Sequence, residues 1–486
     1  MSNASLFKKK DVDMTVGSIP KLILGFFIPM VLGLFLQQLY HSVDMIIVGQ
    51  FASADSMGAV GGVGSITNAF VLFCSGISVG AGVIISQYYG KHDSENIKKA
   101  VSTSVCLGII LSIVVTVLGM ALTRPLLLLM KSNEEIIGYA TIYLLIYFGG
   151  VSGLIMYNML SSIFRAVGDS TRPLIYLIIS SAINIVLDLL FVAVFKWDVI
   201  GAAVATIIAQ FVSAICAFIY LVKIDTDYKI DIKDIKLYKK ITKNIILVGL
   251  PAGIQSSITG FSNTFLHSYI NVFGASYESG YAIFIKLEHF ITIFFTSFGY
   301  AITSFVGQNI GARKIKRAVD GTNFTMLASL VCAVFLIIPL VFFAGNLSSV
   351  FTLDTEVTKT ATYILMLCSP FQIFQSINTI YMSALRGYRK TRASMFVIVG
   401  SYVAFRQVYM IIVSAVLPNQ ILPILIAFPI GWFIAATSHA ILWFTCPIMQ
   451  ANRILKKHPD GKGLSVRELI EWKKNGFPKL EEVKVA

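Results

Sequence analysis

Residues 20–48 read PKLILGFFIPMVLGLFLQQLYHSVDMIIV, and residues 244–272 read NIILVGLPAGIQSSITGFSNTFLHSYINV. Each run exceeds the ~20 apolar residues that a helix needs to cross a hydrocarbon core. The two correspond. Pro29, Phe51 and Gly58 match Pro251, Phe273 and Gly280, always 222 residues on. Downstream, Gln87-Tyr88-Tyr89-Gly90 leading to Lys99-Ala100-Val101 matches Gln308-Asn309-Ile310-Gly311 leading to Arg317-Ala318-Val319. Ala140-Thr141, Arg165 and Thr171-Arg172 match Ala361-Thr362, Arg386 and Thr391-Arg392, with offsets drifting only between 218 and 222. A collinear series of this kind marks an internal repeat.

Apolar stretches at 58–87, 99–122, 139–164, 173–195 and 200–222 complete the first half. Those at 280–307, 318–344, 359–384, 394–417 and 422–447 complete the second. The expectation is an all-α membrane protein of twelve transmembrane helices in two pseudo-symmetric six-helix bundles. Its divisions are an N-terminal tail (1–18), a first bundle (19–222), a connector (223–243), a second bundle (244–449) and a C-terminal tail (450–486). Six crossings per repeat leave both copies in one orientation, so their axis runs along the membrane normal. Without the alternation of a β-barrel, helices alone satisfy the backbone in lipid.

Composition agrees. Of 486 residues, 56% are hydrophobic and 13% charged, with a mean hydropathy of +0.78; soluble domains carry nearly twice that charge. The net charge of +14 does not point to nucleic acid, because the basic residues sit in short loops and no soluble basic domain exists to bind it. Of the 39 Lys and Arg, 32 fall on one side. These include Lys8 to Lys10, Lys91, Lys98, Lys99, the connector, the loops at 313–317 and 386–392, and the C-terminal tail. Only Arg124, Lys131, Lys196 and Lys359 lie near the other side. The positive-inside rule places both termini in the cytoplasm of a multi-pass plasma-membrane protein. The run from Ile19 is too long for a signal-peptide core, and no small-residue cleavage site follows it. The six cysteines lie in apolar runs, unpaired and without metal-site spacing.

The chain resembles the MATE (multidrug and toxic compound extrusion) transporters over residues 15–450. The resemblance rests on Pro29, Gln38-Leu39-Tyr40, Asp44 and Val48-Gly49, the Gln87–Gly90 loop, Arg165 with Gly168-Asp169 and Arg172-Pro173, and Val306 to Gly311. It implies export of organic cations or other amphiphiles against inward H⁺ or Na⁺, with no cofactor and a monomeric chain. The NorM branch uses an Asp in span 10, where this chain has no acid. The DinF-like branch uses an Asp in span 1, an Asn and Asp one turn apart in span 5, and a Thr in span 6. Asp44, Asn184, Asp188 and Thr206 stand there.

The residues support the same site independently. Ionisable groups inside a bilayer are costly and mark function. Asp44, Asp188 and Thr206 all fall roughly 8–11 Å below the outer surface at 1.5 Å per residue. Asn184 and Asp188 share a helix face. Two close carboxylates repel, and a proton or a Na⁺ held also by the Asn carbonyl and Thr hydroxyl relieves that repulsion. Pro29 is the expected bending point of span 1. Tyr40, Gln37 and Asn158 are candidates for the first-bundle cavity, as are Glu288 and Arg406 for the second. Lys286, Glu288 and Arg406 are expected to form a charge-balancing network, and His267 to be an interior histidine. Gly76, Gly80 and Gly82 suit close helix approach. The tail, with a short helix at Ser465 to Lys474, is expected at the headgroup surface. A lipid-linked oligosaccharide flippase is the alternative function. A membrane enzyme is disfavoured because the histidines do not cluster, and no P-loop provides for ATP.

Overall fold

The computed structural model describes residues 11–51, 54–129 and 134–478; Lys8 to Lys10 and Lys131, used above for orientation, lie outside them. Among the described residues the chain is helical, without strands. The first half holds α1 (Ile19–Phe51), α2 (Ala54–Gly90), α3 (Ser94–Leu129), α4 (Glu134–Ala166), α5 (Thr171–Asp188) and α6 (Asp198–Lys223). The second holds α7 (Lys239–Asn271), α8 (Ala275–Gly311), α9 (Ile315–Phe342), the short α10 (Ala344–Ser349), α11 (Thr355–Cys368), α12 (Gln372–Gly387), α13 (Thr391–Ile398), α14 (Arg406–Val416) and α15 (Ile421–Thr445). Two short helices follow, α16 (Pro447–Lys457) and α17 (Val466–Lys474).

Among the described residues, eleven helical spans are long and apolar enough to cross a membrane. The twelfth crossing differs from the continuous run expected at 359–384. It is broken into α11 and α12 by a 3₁₀ turn at Ser369–Phe371, where Pro370 cannot donate a backbone hydrogen bond. Two other crossings contain π-helical segments: Leu189–Val194 extends α5, and Val399–Phe405 joins α13 to α14. These are the fifth crossings of the two repeats.

Each lobe has its own apolar core. Ile85, Val101, Met159 and Phe164 are fully buried in the first, and Phe284, Phe295, Ile364 and Leu425 in the second. Large apolar side chains such as Phe335, Phe342 and Val416 face outward, as they do when lipid is the solvent. The lobes meet chiefly along α2 and α7. There Gly76 and Gly80 face Gly253 and Gly249; a Cβ on Gly76 would lie 2.1 Å from the Gly253 nitrogen, so no side chain fits. The repeated loop motifs cross one another at the pseudo-axis. Gly90 lies under the Gln308 carbonyl and Gly311 under the Gln87 carbonyl.

The connector does not hang free. Tyr228 and Ile230 are buried, and its backbone at Lys236 and Tyr238 donates to Ser102 and Thr103 of α3. The C-terminal tail also departs from a simple surface segment. Leu464, Leu469 and Trp472 pack into a core with Ile315, Val319 and Trp443, so its apolar side is spent on protein. Ser465 caps α17 and closes a capping box with Glu468.

Candidate functional site

Asp44 lies two turns before the end of α1. Asn184 and Asp188 occupy one face of α5, and Thr206 lies in the third turn of α6. The fold brings all four together. The carboxyls of Asp44 and Asp188 are close enough to interact electrostatically. Asn184 Nδ2 donates to Thr206 Oγ1 at 3.4 Å. Asp188 is 0% and Asn184 1% exposed, whereas Asp44 is half-buried and lines a cavity. Asp44 thus stands between open space and a fully enclosed acid.

Four oxygens here have no hydrogen-bond donor: Asp44 Oδ1, Asn184 Oδ1 and both carboxylate oxygens of Asp188. Buried acceptors are normally paired, so such a set suits a cation. Two carboxylates and a neutral carbonyl, beside a hydroxyl, are hard oxygen donors; they fit a proton shared between acids or a small alkali ion. The π segment begins immediately after Asp188, and such wide turns recur at functional sites because they redirect side chains.

Two cavities of about 270 Å³ each run down the first lobe. Gln37, Tyr40, Val71, Leu154 and Gln210 belong to both. The upper one reaches Asp44 and Thr206, and the lower one reaches Pro29, Asn158, Arg165 and Tyr300. Gln37, Tyr40 and Asn158 therefore line this space as expected, and Pro29 lies on its wall. Further lining residues were not anticipated, among them Gln210, which lies with Tyr40 on the walls of both cavities, and Tyr143 with Tyr147, whose rings stack at 6.3 Å. Gln210 lies one turn beyond Thr206, and the tyrosines are one turn apart. At the far end, the Arg165 guanidinium lies 4.8 Å from the Tyr300 ring of α8 and closes the space against the second lobe.

The second lobe places Arg406 differently from expectation. Arg406 is 2% exposed and donates to Ser262 Oγ (2.8 Å) and Asn263 Oδ1 (2.7 Å) of α7. Its guanidinium also lies over the rings of Tyr402 and Phe428. Among the described residues, Glu288 forms no ion pair with it. Lys286 instead approaches the Phe351 ring. The direct hydrogen-bond partners of Arg406 are thus neutral, Glu288 acts on it through space without an ion pair, and Lys286, two residues from Glu288, faces another direction. His267 lies beside Tyr281.

Two pseudo-symmetric helical lobes, broken and π-bulged crossings, and a cavity deep in one lobe define a polytopic membrane transporter. The profile of the MatE family matches residues 29–190 and again 251–412, the two copies standing 222 residues apart. The chain belongs to that family, the MATE efflux transporters, and is not an enzyme. It is similar to the probable multidrug resistance protein YpnP of Bacillus subtilis, at 31% identity covering 63% of this chain and 69% of that protein. The multidrug export protein MepA of Staphylococcus aureus is 23% identical over 77% of this chain and 83% of its own. Among solved structures, an outward-facing conformation of a multidrug resistance MATE family transporter superposes with a TM-score of 0.85. It is 22% identical and covers 92% of this chain and 99% of that one, a likeness of fold.

Proposed function

We propose that this protein is a cation-coupled antiporter. It exports organic cations or amphiphilic small molecules across the plasma membrane by alternating access, as a monomer with both termini in the cytoplasm. In this reading residues 19–222 and 244–449 are the two working bundles, and 223–243 ties them together. The observation that carries it is the proximity of two acids, Asp44 and Asp188, from different helices at the head of a drug-sized cavity. The names of YpnP and MepA support multidrug export. The acid set in the first lobe, with no acid in span 10, supports the DinF-like branch. The lipid-linked oligosaccharide flippase finds no such support.

In the mechanism, substrate occupies the space lined by Gln37, Tyr40, Asn158 and Gln210 while the acids are ionised. Entry of H⁺ or Na⁺ at Asp44 and Asp188, with Asn184 and Thr206 as neutral oxygen ligands, removes their mutual repulsion. Span 1 then repacks about Pro29, where the backbone ladder already lacks a bond, and the cavity contracts. One charge moving through 100 mV supplies ~2.3 kcal/mol. Glu288 and Arg406 supply polar contacts from the second lobe.

The test is efflux of a fluorescent organic cation from proteoliposomes with pH and sodium gradients imposed separately. At least one gradient should drive export by the parent chain, and Asp44→Asn should remove that drive while the protein still inserts and purifies. Gradient-driven export by Asp44→Asn at the parent rate would refute the coupling role.

A further inference from the structure

The transport reading leaves one built feature unused: the stretch Asp11–Gly17 ahead of α1. Its side and backbone atoms lie between the lobes on the basic face. Met14 is 0% and Thr15 3% exposed, unusual for residues that belong to no helix. Met14 packs into the core of Phe298, Ile302 and Phe305 from α8.

On the second-lobe side the contacts are with backbone. Gln308 Oε1 accepts from the Met14 nitrogen at 2.8 Å, and Asn309 Nδ2 donates to the Met14 carbonyl at 3.2 Å. Lys314 Nζ donates to the Thr15 carbonyl at 2.9 Å, and Arg317 reaches the Met14 and Val16 carbonyls. On the first-lobe side the contacts are ionic. Asp11 accepts from Arg172 at 3.3 Å and from the Tyr228 hydroxyl, and Asp13 approaches His92 at 3.9 Å. The Val12 carbonyl presses on Gly168, where a Cβ would come within 2.2 Å.

Gln308 joins the two sets. While its oxygen holds Met14, its Nε2 donates to the Ala166 carbonyl of the first lobe at 2.9 Å. Nearby, Gln87 Nε2 donates to the Gly387 carbonyl at 2.9 Å, and Arg389 to Asn244 at 2.7 Å. The segment therefore lies across a seam that alternating access must open, and holds both banks.

We propose that residues 11–17 are a latch that keeps the lobes closed at the basic face, and that its release is a step of the transport cycle. A seal riding on one lobe would need contacts to that lobe alone. This segment spends its acids on one lobe and its carbonyls on the other. Opening the seam breaks one set, and the segment then leaves with the lobe that keeps it. Charge-assisted hydrogen bonds of this kind contribute enough each to shift a two-state population severalfold.

The experiment measures lobe separation directly and is independent of whether the protein exports drugs. Spin labels are placed at Lys98→Cys and Lys316→Cys, exposed positions on α3 and α9, in a chain whose half-buried Cys106, Cys216 and Cys332 are serine. Distance distributions are recorded for the parent, for Asp11→Ala, which removes the first-lobe anchor, and for Arg317→Ala, which weakens the second. Both variants should raise the longer-distance population roughly ten-fold, with melting temperatures near the parent's. An unchanged distribution in either variant would overturn the latch, because a two-sided fastening fails when either side is cut.

Discussion

Asp44 and Asp188 carry the same side chain in unlike places: one borders a cavity, the other is sealed behind it. On the proposed mechanism an incoming cation reaches Asp44 first, and Asp188 responds through its neighbour. Asn184 sharpens the question of which cation. Its amide nitrogen is held by Thr206, and its oxygen has no donor. A neutral oxygen matters to an alkali ion, which needs several ligands, and little to a proton. Asn184→Ala is therefore expected to weaken sodium-driven export roughly ten-fold and leave proton-driven export within about two-fold, since a lost charge-assisted contact is worth ~1.5–3 kcal/mol. Export rates in vesicles under each gradient decide it; equal losses would make Asn184 a packing residue. Asp44, Asn184 and Asp188 were legible in the sequence because a carboxylate or amide on an apolar helix has few reasons to be there; Thr206 was marked by the family resemblance. Gln210, Tyr143 and Tyr147 were not. Uncharged polar side chains are common in membrane helices, and only the folded cavity distinguishes those that face it.

Helices in this protein are interrupted where they work. Span 10 breaks at Ser369–Phe371, and the fifth crossing of each repeat widens into a π segment beside Asp188 or Arg406. The break carried a visible mark in Pro370, yet apolar residues recur on both sides of it, so the stretch reads as one helix. The π segments carry no such mark: LLFVAV and VGSYVAF are ordinary apolar runs, and their extra residue is set by packing. The seam between α2 and α7 is the opposite case, because its glycines announce close approach. Gly76→Val is accordingly expected to push the Gly253 backbone away and destabilise the fold by about 1–3 kcal/mol, the usual cost of overpacking. Gly25→Val, whose Cβ meets nothing within 4 Å, should cost far less. Thermal unfolding in detergent compares the two, and equal losses would remove the seam as a close-packed element.

At the scale of the molecule, a duplicated sequence has produced two lobes with the same frame and different chemistry. The first crossing meets the fifth in both. In one lobe the meeting sets Asp44 beside Asp188; in the other it sets Ser262 and Asn263 against Arg406. The frame was legible because its glycines, prolines and loop motifs recur at a fixed offset. The divergence was only half legible: the same 222-residue offset puts Leu266 opposite Asp44, but the neutral partners of Arg406 required the structure. A basic group held by neutral atoms cannot trade a proton for a cation as an acid pair does. On the proposed mechanism ion chemistry belongs to the first lobe, and the second contributes to substrate contact. Replacing Asp188 by Asn should make export insensitive to the imposed gradient. Glu288→Gln should preserve the ratio of export with and without the gradient, while raising the KM for a cationic substrate roughly ten-fold, as expected for one charge-assisted contact. Initial rates across substrate concentrations, with and without the driving gradient, separate the two effects. If Glu288→Gln also erased the gradient response, the second lobe would share in coupling, and the division of labour between the halves would have to be abandoned.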